Sequence, residues 1–189
     1  MRYGRLPASR PAVGLKLSQQ RRLRRIPMSR KLYLMRHAEA APGSPDRARP
    51  LTPAGRRQAQ AMASLLRRMD IRPVAIWHSG RVRAEQSAQI VATALKDKPR
   101  VAEQAGLDPD SRVKPVVRAI SRTRGDLLIV GHEPHLGKLA TRLLAGQKLA
   151  ALLDFPKAGV ACLTCGREDK WVLNWLIPPE IATAPESES

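Results

Sequence analysis

The stretch Lys31-Leu-Tyr-Leu-Met-Arg-His-Ala-Glu39 decides the reading of this chain. Four apolar residues in a row form a short strand that ends abruptly at a charged pair. Titratable and cationic side chains then arrive together. In an open α/β sheet ligands bind outside the carboxyl ends of the strands, so the end of this strand is where chemistry is expected.

Two further strands end the same way. Val74-Ala-Ile-Trp77 runs into His78-Ser-Gly-Arg81, with Arg83 just beyond, and Leu127-Leu-Ile-Val130 runs into Gly131-His-Glu-Pro134. Helical patterns lie between them. Thr52-Pro53 suits an N-cap followed by the first helical position, and Met62, Leu65, Leu66 and Met69 then share one face. A second helix is predicted over Arg83 to Leu95, with Ile90, Val91, Ala94 and Leu95 inward. Ser111 is a candidate cap for a third, with Val113, Val116, Val117 and Ile120 inward. Pro134 opens a fourth, burying Leu136, Leu139, Ala140, Leu143 and Leu144 and stopping at Gly146. Val101 to Leu107 fits either state. Gly159 to Leu163 and Trp171 to Leu176 read as a closing hairpin. This alternation predicts an α/β fold: a three-layer α/β/α sandwich around a mostly parallel central sheet.

Length and composition agree. The chain has 189 residues, 43% of them apolar, enough for one domain with its own core. No apolar run approaches the roughly 18 residues a membrane span needs. Two cysteines, Cys162 and Cys165, exclude a disulfide-stapled scaffold and point to a reducing, cytoplasmic setting. The net charge is +18, and eight of the 34 Lys and Arg lie in residues 1–27, which hold no acid. Residues 1–27 therefore read as a disordered basic leader. Three explanations compete for it: translation from Met28, a basic arm for an acidic surface, and a targeting peptide. Residues 28–178 form the predicted domain and 179–189 a flexible tail. A basic body favours anionic ligands, while 3% aromatics is poor material for stacking bases.

If the three strands are neighbours, their ends bring two histidines and several arginines to one pocket. Guanidinium forks match phosphate oxygens. A neutral histidine can attack phosphorus and carry it covalently, and a second, if protonated, can hold the charge on the equatorial oxygens. Such an arrangement needs neither metal nor cofactor.

Leu34-Met-Arg-His-Ala-Glu39 resembles the signature of the histidine phosphatase superfamily, whose fold is phosphoglycerate mutase-like. Arg49-Pro-Leu-Thr-Pro-Ala-Gly55, Ser79 with Arg83-Ala-Glu-Gln86, and Gly131-His-Glu-Pro134 resemble its further motifs, in the expected order over residues 31 to about 176. The short span between Arg83 and His132 is most similar to SixA-type phosphohistidine phosphatases, in which a small residue such as Ala38 replaces the usual glycine. The resemblance implies that His37 is the nucleophile, that Arg36 and Arg83 hold the phosphoryl group, and that His132 stabilises the transition state. Arg49 and Glu85 are candidate substrate contacts. For a general acid, Glu85, Asp108 and Glu133 are the candidates. The implied substrate is phosphohistidine on a protein such as a histidine phosphotransfer domain, acted on by a monomer. A small phosphate ester, or a non-catalytic role as a basic nucleic-acid or membrane-surface binder, are the alternatives.

Other conspicuous residues have plainer readings. Cys162-x-x-Cys165 lies inside a predicted strand, where positions three apart face opposite ways, so neither zinc nor redox chemistry is expected. Trp171 and Trp175 read as sheet packing, and His78 as a packing residue near the rim. His135 is structural or substrate-facing, Arg81 is supporting or exposed, and Arg49 can equally pair with Asp46. Lys157 reads as a surface residue, with the mouth of the pocket as the alternative place for it.

Overall fold

The computed structural model describes residues 30–146, 150–166 and 169–182. Its strands are β1 Arg30–Arg36, β2 Ala75–His78, β3 Arg100–Glu103, β4 Leu127–Gly131, β5 Val160–Cys165 and β6 Trp171–Ile177. They form one sheet in the order β3-β2-β4-β1-β5-β6. The first four in that order are parallel, and β5 and β6 add an antiparallel hairpin. The helices are α1 Pro53–Arg68, α2 Val82–Ala94, α3 Val113–Arg122, α4 His135–Ala145 and a short closing turn, α5 Pro179–Ala182.

The central strands are apolar on both faces, and their period of two sorts side chains into two cores. Tyr33, Met35, Ile76, Leu128 and Val130 pack with Ala59, Met62 and Leu66 of α1 and Ala88 and Val91 of α2. Leu32, Leu34, Leu127 and Ile129 pack with Val116 and Ile120 of α3 and Leu136, Leu139 and Leu143 of α4. The result is the three-layer sandwich expected from the sequence, with α1 and α2 on one face and α3 and α4 on the other. No described helix is long and apolar enough to cross a membrane.

Several boundaries differ from expectation. The ambiguous Val101–Leu107 stretch supplies an edge strand, β3, that is short and ends in Arg100 and Glu103, features that blunt an edge against further pairing. Helix α3 starts at Val113 without a side-chain cap. Ser111 instead donates its backbone N–H to Asp108 O, at 3.0 Å, within the preceding turn. Met69 was expected inward but is 39% exposed, because α1 ends at Arg68 and the chain has already left the helical face. Within the expected flexible tail, Pro179–Ala182 is helical, with Pro179 and Ala182 buried. The leader 1–27 and residues 183–189 lie outside the described residues. Cys162 and Cys165 are both free and buried within β5.

The start of α1 is tied to the end of β1. Thr52 Oγ1 accepts from Gly55 N–H at 2.9 Å, the expected cap, and its hydroxyl donates to Glu39 Oε1 at 2.8 Å. Thr52 N–H donates to Glu39 O at 3.1 Å. This brings Gly55 so close that a Cβ there would clash with the Glu39 backbone. Gly55→Ala is therefore expected to cost about 2–3 kcal/mol, measured as a lowered urea midpoint at constant m-value. An unchanged midpoint would show that the close approach is not required.

Candidate active site

Strand register builds the site. In the β1–β4 pairing Arg36 lies opposite Gly131, and His37 N–H donates to Gly131 O at 3.0 Å. His37 and His132 therefore leave the sheet side by side, with ring centroids 4.8 Å apart. On the other side of β4, His78 of β2 lies opposite Val130. Ser79 thus emerges beside His132, and its Oγ lies 2.6 Å from His132 Nε2. The segment after β1 is held from the helix side as well: Ser87 Oγ of α2 accepts from Ala38 N–H at 3.1 Å and donates to Arg83 O at 2.7 Å.

Arg83 comes from the first turn of α2 and is 6% exposed. Its Nε donates to His37 Nε2 at 3.2 Å. The opposite ring nitrogen, His37 Nδ1, lies 2.7 Å from Ala38 O. A carbonyl can only accept, so Nδ1 carries the proton and Nε2 keeps its lone pair. Burial, followed by the charges of Arg83, Arg36 and Lys157, pulls the His37 pKa down to about 4. His132 is pulled down to about 2, chiefly by burial and then by His37, Arg83 and Arg81. Both rings are neutral at pH 7 in the free protein.

A cavity of about 260 Å³ opens over His37, lined by Arg36, Arg49, Arg83 and Lys157 together with His132 and Glu133. This is room for a phosphoryl group and part of the group that carries it, among four cations and one carboxyl. Arg36 donates Nη1 to Phe155 O at 2.7 Å. Five of the expected residues, His37, Arg36, Arg83, His132 and Arg49, thus meet in one place. Glu85 does not. It is exposed and absent from the lining, because in α2 it follows buried Arg83 by two residues and so points about 200° away. Arg81 is a supporting residue that donates Nε to Asp108 Oδ1 at 2.7 Å. His78 accepts Gly80 N–H on Nδ1 at 3.1 Å, a packing role. His135 is fully buried and absent from the pocket lining, and burial pulls its pKa down to about 4.

Asp46, read from the sequence only as a partner for Arg49, joins three arginines beside the pocket. It sits in a 3₁₀ turn, Asp46–Ala48. Its backbone O accepts Arg83 Nη1 at 2.6 Å, and its Oδ2 accepts Arg83 Nη2 at 3.0 Å. Oδ1 accepts Arg49 Nη1 at 2.9 Å, and Arg81 reaches Oδ2 as well. These hydrogen bonds, those of Arg83 and Arg49 first, hold its carboxyl down at about 2. One carboxylate thus fixes three arginines around the pocket. The legible signal was Asp46 three residues before Arg49 in a Gly/Ser/Pro-rich loop, but the link to Arg83 spans 37 residues.

The pH dependence follows from His37. Burial and the neighbouring cations lower its pKa, which keeps the proton-free ring present down to about pH 4. In kcat/KM, which reports the free enzyme, an acid limb that follows His37 is expected near pH 4. A limb near 6.5 would show that His37 titrates as an ordinary histidine.

Known proteins are similar to this chain in sequence and fold. The description "Histidine phosphatase superfamily (branch 1)" matches residues 32–109. An uncharacterized protein of Picosynechococcus is 32% identical over 144 residues, 72% of this chain and 86% of the relative. The structure of the protein histidine phosphatase SixA complexed with tungstate matches with a TM-score of 0.73 at 24% identity, over 80% of this chain and 98% of that one. An Agrobacterium tumefaciens protein assigned as a phosphohistidine phosphatase SixA matches with a TM-score of 0.66 at 27% identity, over 79% and 98%. With both histidines and both arginines in place at the ends of β1 and β4 and the start of α2, this chain belongs to the histidine phosphatase superfamily and is SixA-like within it.

Proposed function

We propose that this chain removes the phosphoryl group from phosphohistidine on a signalling protein, such as a histidine-containing phosphotransfer domain, through a phospho-His37 intermediate. The observation that carries this reading is the state of the carboxyl groups. Among the described residues, Glu133 is the carboxyl that lines the pocket, and both of its oxygens accept backbone N–H groups. Asp108 holds Arg81, Asp46 is kept ionised by arginines, and Glu85 faces solvent. An oxygen leaving group needs a proton from a well-placed acid. An imidazole already protonated on its second nitrogen does not.

The reaction balances without such an acid. His37 Nε2 attacks phosphorus in line with the P–N bond. That electron pair passes to the substrate imidazole, which leaves neutral. Arg36 and Arg83 hold the equatorial oxygens, and His132, held at its edge by Ser79, adds a ring N–H as charge develops. Water then attacks phospho-His37, the bonding pair returns to Nε2, and phosphate leaves. An exposed Lys157 at the mouth and a basic body suit an acidic protein partner. The free cysteines fit a cytoplasmic setting.

Single-turnover kinetics of the full chain with EDTA present test the proposal, using a phosphohistidine protein and para-nitrophenyl phosphate. Fast loss of phosphohistidine, slow ester cleavage and a drop of about 10⁴-fold or more in His37→Ala are expected. Faster cleavage of the ester would identify a small-molecule phosphomonoesterase instead. Turnover of neither would leave a binding protein on a phosphatase fold.

A further inference from the structure

Glu133 follows His132 directly, yet its carboxylate is engaged by the backbone on both sides. Gly137 N–H of α4 donates to Oε2 at 3.3 Å, and Phe155 N–H donates to Oε1 at 3.2 Å. The carbonyl of the same Phe155 accepts Arg36 Nη1 at 2.7 Å. The segment that follows holds the Arg36 backbone too: Arg36 N–H donates to Gly159 O at 3.1 Å, and Ala158 N–H to Arg36 O at 3.1 Å. The Phe155 ring is fully buried, so this segment has a fixed seat in the core. Gly137 leaves no space beside the carboxylate: a Cβ there would meet Leu153 O and would lie 3.1 Å from Glu133 Oε2.

We propose that Glu133 is a positioning residue for phosphoryl transfer: it fixes the Phe155 residue whose carbonyl aims the Arg36 guanidinium at the phosphoryl group. It acts through Arg36 and is not the proton donor. Both of its oxygens accept main-chain hydrogens, which hold the carboxyl group toward Gly137 and Phe155. This inference rests on the phosphoryl-transfer reading of the pocket, but not on which phosphorylated substrate is used.

The test is oxyanion binding by the full chain, with orthovanadate as the probe, for wild type, Glu133→Gln, Glu133→Ala, Arg36→Ala and the Arg36→Ala/Glu133→Gln double variant. Glu133→Gln keeps the shape and one acceptor, so it is expected to weaken vanadate about 10-fold, with Glu133→Ala weaker still. The double variant is expected to bind no more weakly than Arg36→Ala alone, because Glu133 acts only through that arginine. Losses that multiply in the double variant would overturn the proposal. So would wild-type vanadate affinity in Glu133→Gln joined to a fall in kcat that grows with leaving-group pKa along an aryl phosphate series, the signature of a general acid. Unchanged melting of Glu133→Gln keeps the comparison valid if Glu133→Ala fails to fold. If the wild type itself binds no vanadate, the phosphoryl reading of the pocket falls, and this inference falls with it.

Discussion

The parallel pairing of β1 with β4 is the constraint on which the site depends. Leu32 to Arg36 lie opposite Leu127 to Gly131 in unbroken register. Because both strands are buried, a slip of one residue would send Tyr33, Met35, Leu128 and Val130 into the wrong core. The apolar pattern therefore locks the register, and the register places His37 beside His132. The catalytic geometry is a consequence of hydrophobic sorting, with no separate device needed to bring the two rings together. Pairing of β2 with β4 extends the same logic to Ser79.

The second constraint is electrostatic. The pocket surrounds His37 with the positive charges of Arg36, Arg49, Arg83 and Lys157. Burial first, and that charge after it, move the His37 pKa from 6.5 to about 4, a preference for the neutral ring of about 3 kcal/mol. An ordinary histidine would be about a quarter protonated at pH 7. The same cations thus add to burial in keeping the His37 ring unprotonated. The positive cluster is stabilised in turn by Asp46, which holds Arg49, Arg81 and Arg83 by charge-assisted hydrogen bonds.

Much of this was legible in the sequence, for identifiable reasons. The apolar runs at Leu32–Met35 and Leu127–Val130 announce buried parallel strands, and polar residues at their ends announce a site. The Thr52 cap and the Gly146 stop rest on local backbone chemistry, and both are observed. What was not legible is long-range or angular. Arg83 and Glu85 share a motif, but only helix phase separates the buried residue from the exposed one. The reach of Asp46 to Arg83, and that of Glu133 to Phe155, depend on loops whose paths no local pattern fixes. The Val101–Leu107 stretch stayed ambiguous because an edge strand of four residues, RVAE, carries almost no periodicity.

These two loop carboxylates divide the work of holding the arginines. Asp46 contacts its arginines directly, from a half-exposed turn. Glu133 reaches Arg36 through a peptide group instead, from a site where burial raises its pKa even though two backbone N–H groups act against that rise. A carboxylate in direct contact with Arg36 would neutralise a charge that phosphate needs. Routing the constraint through the Phe155 carbonyl fixes the guanidinium with a dipole and leaves its full charge for the ligand. Arg83 makes the opposite arrangement tolerable, because its Nε contact to His37 and its two bonds to Asp46 leave N–H positions on the fork uncommitted. Arg83 and Arg36 are thus held by different means, one by a counter-charge and one by a carbonyl, and the pocket retains net positive charge while both are held in place.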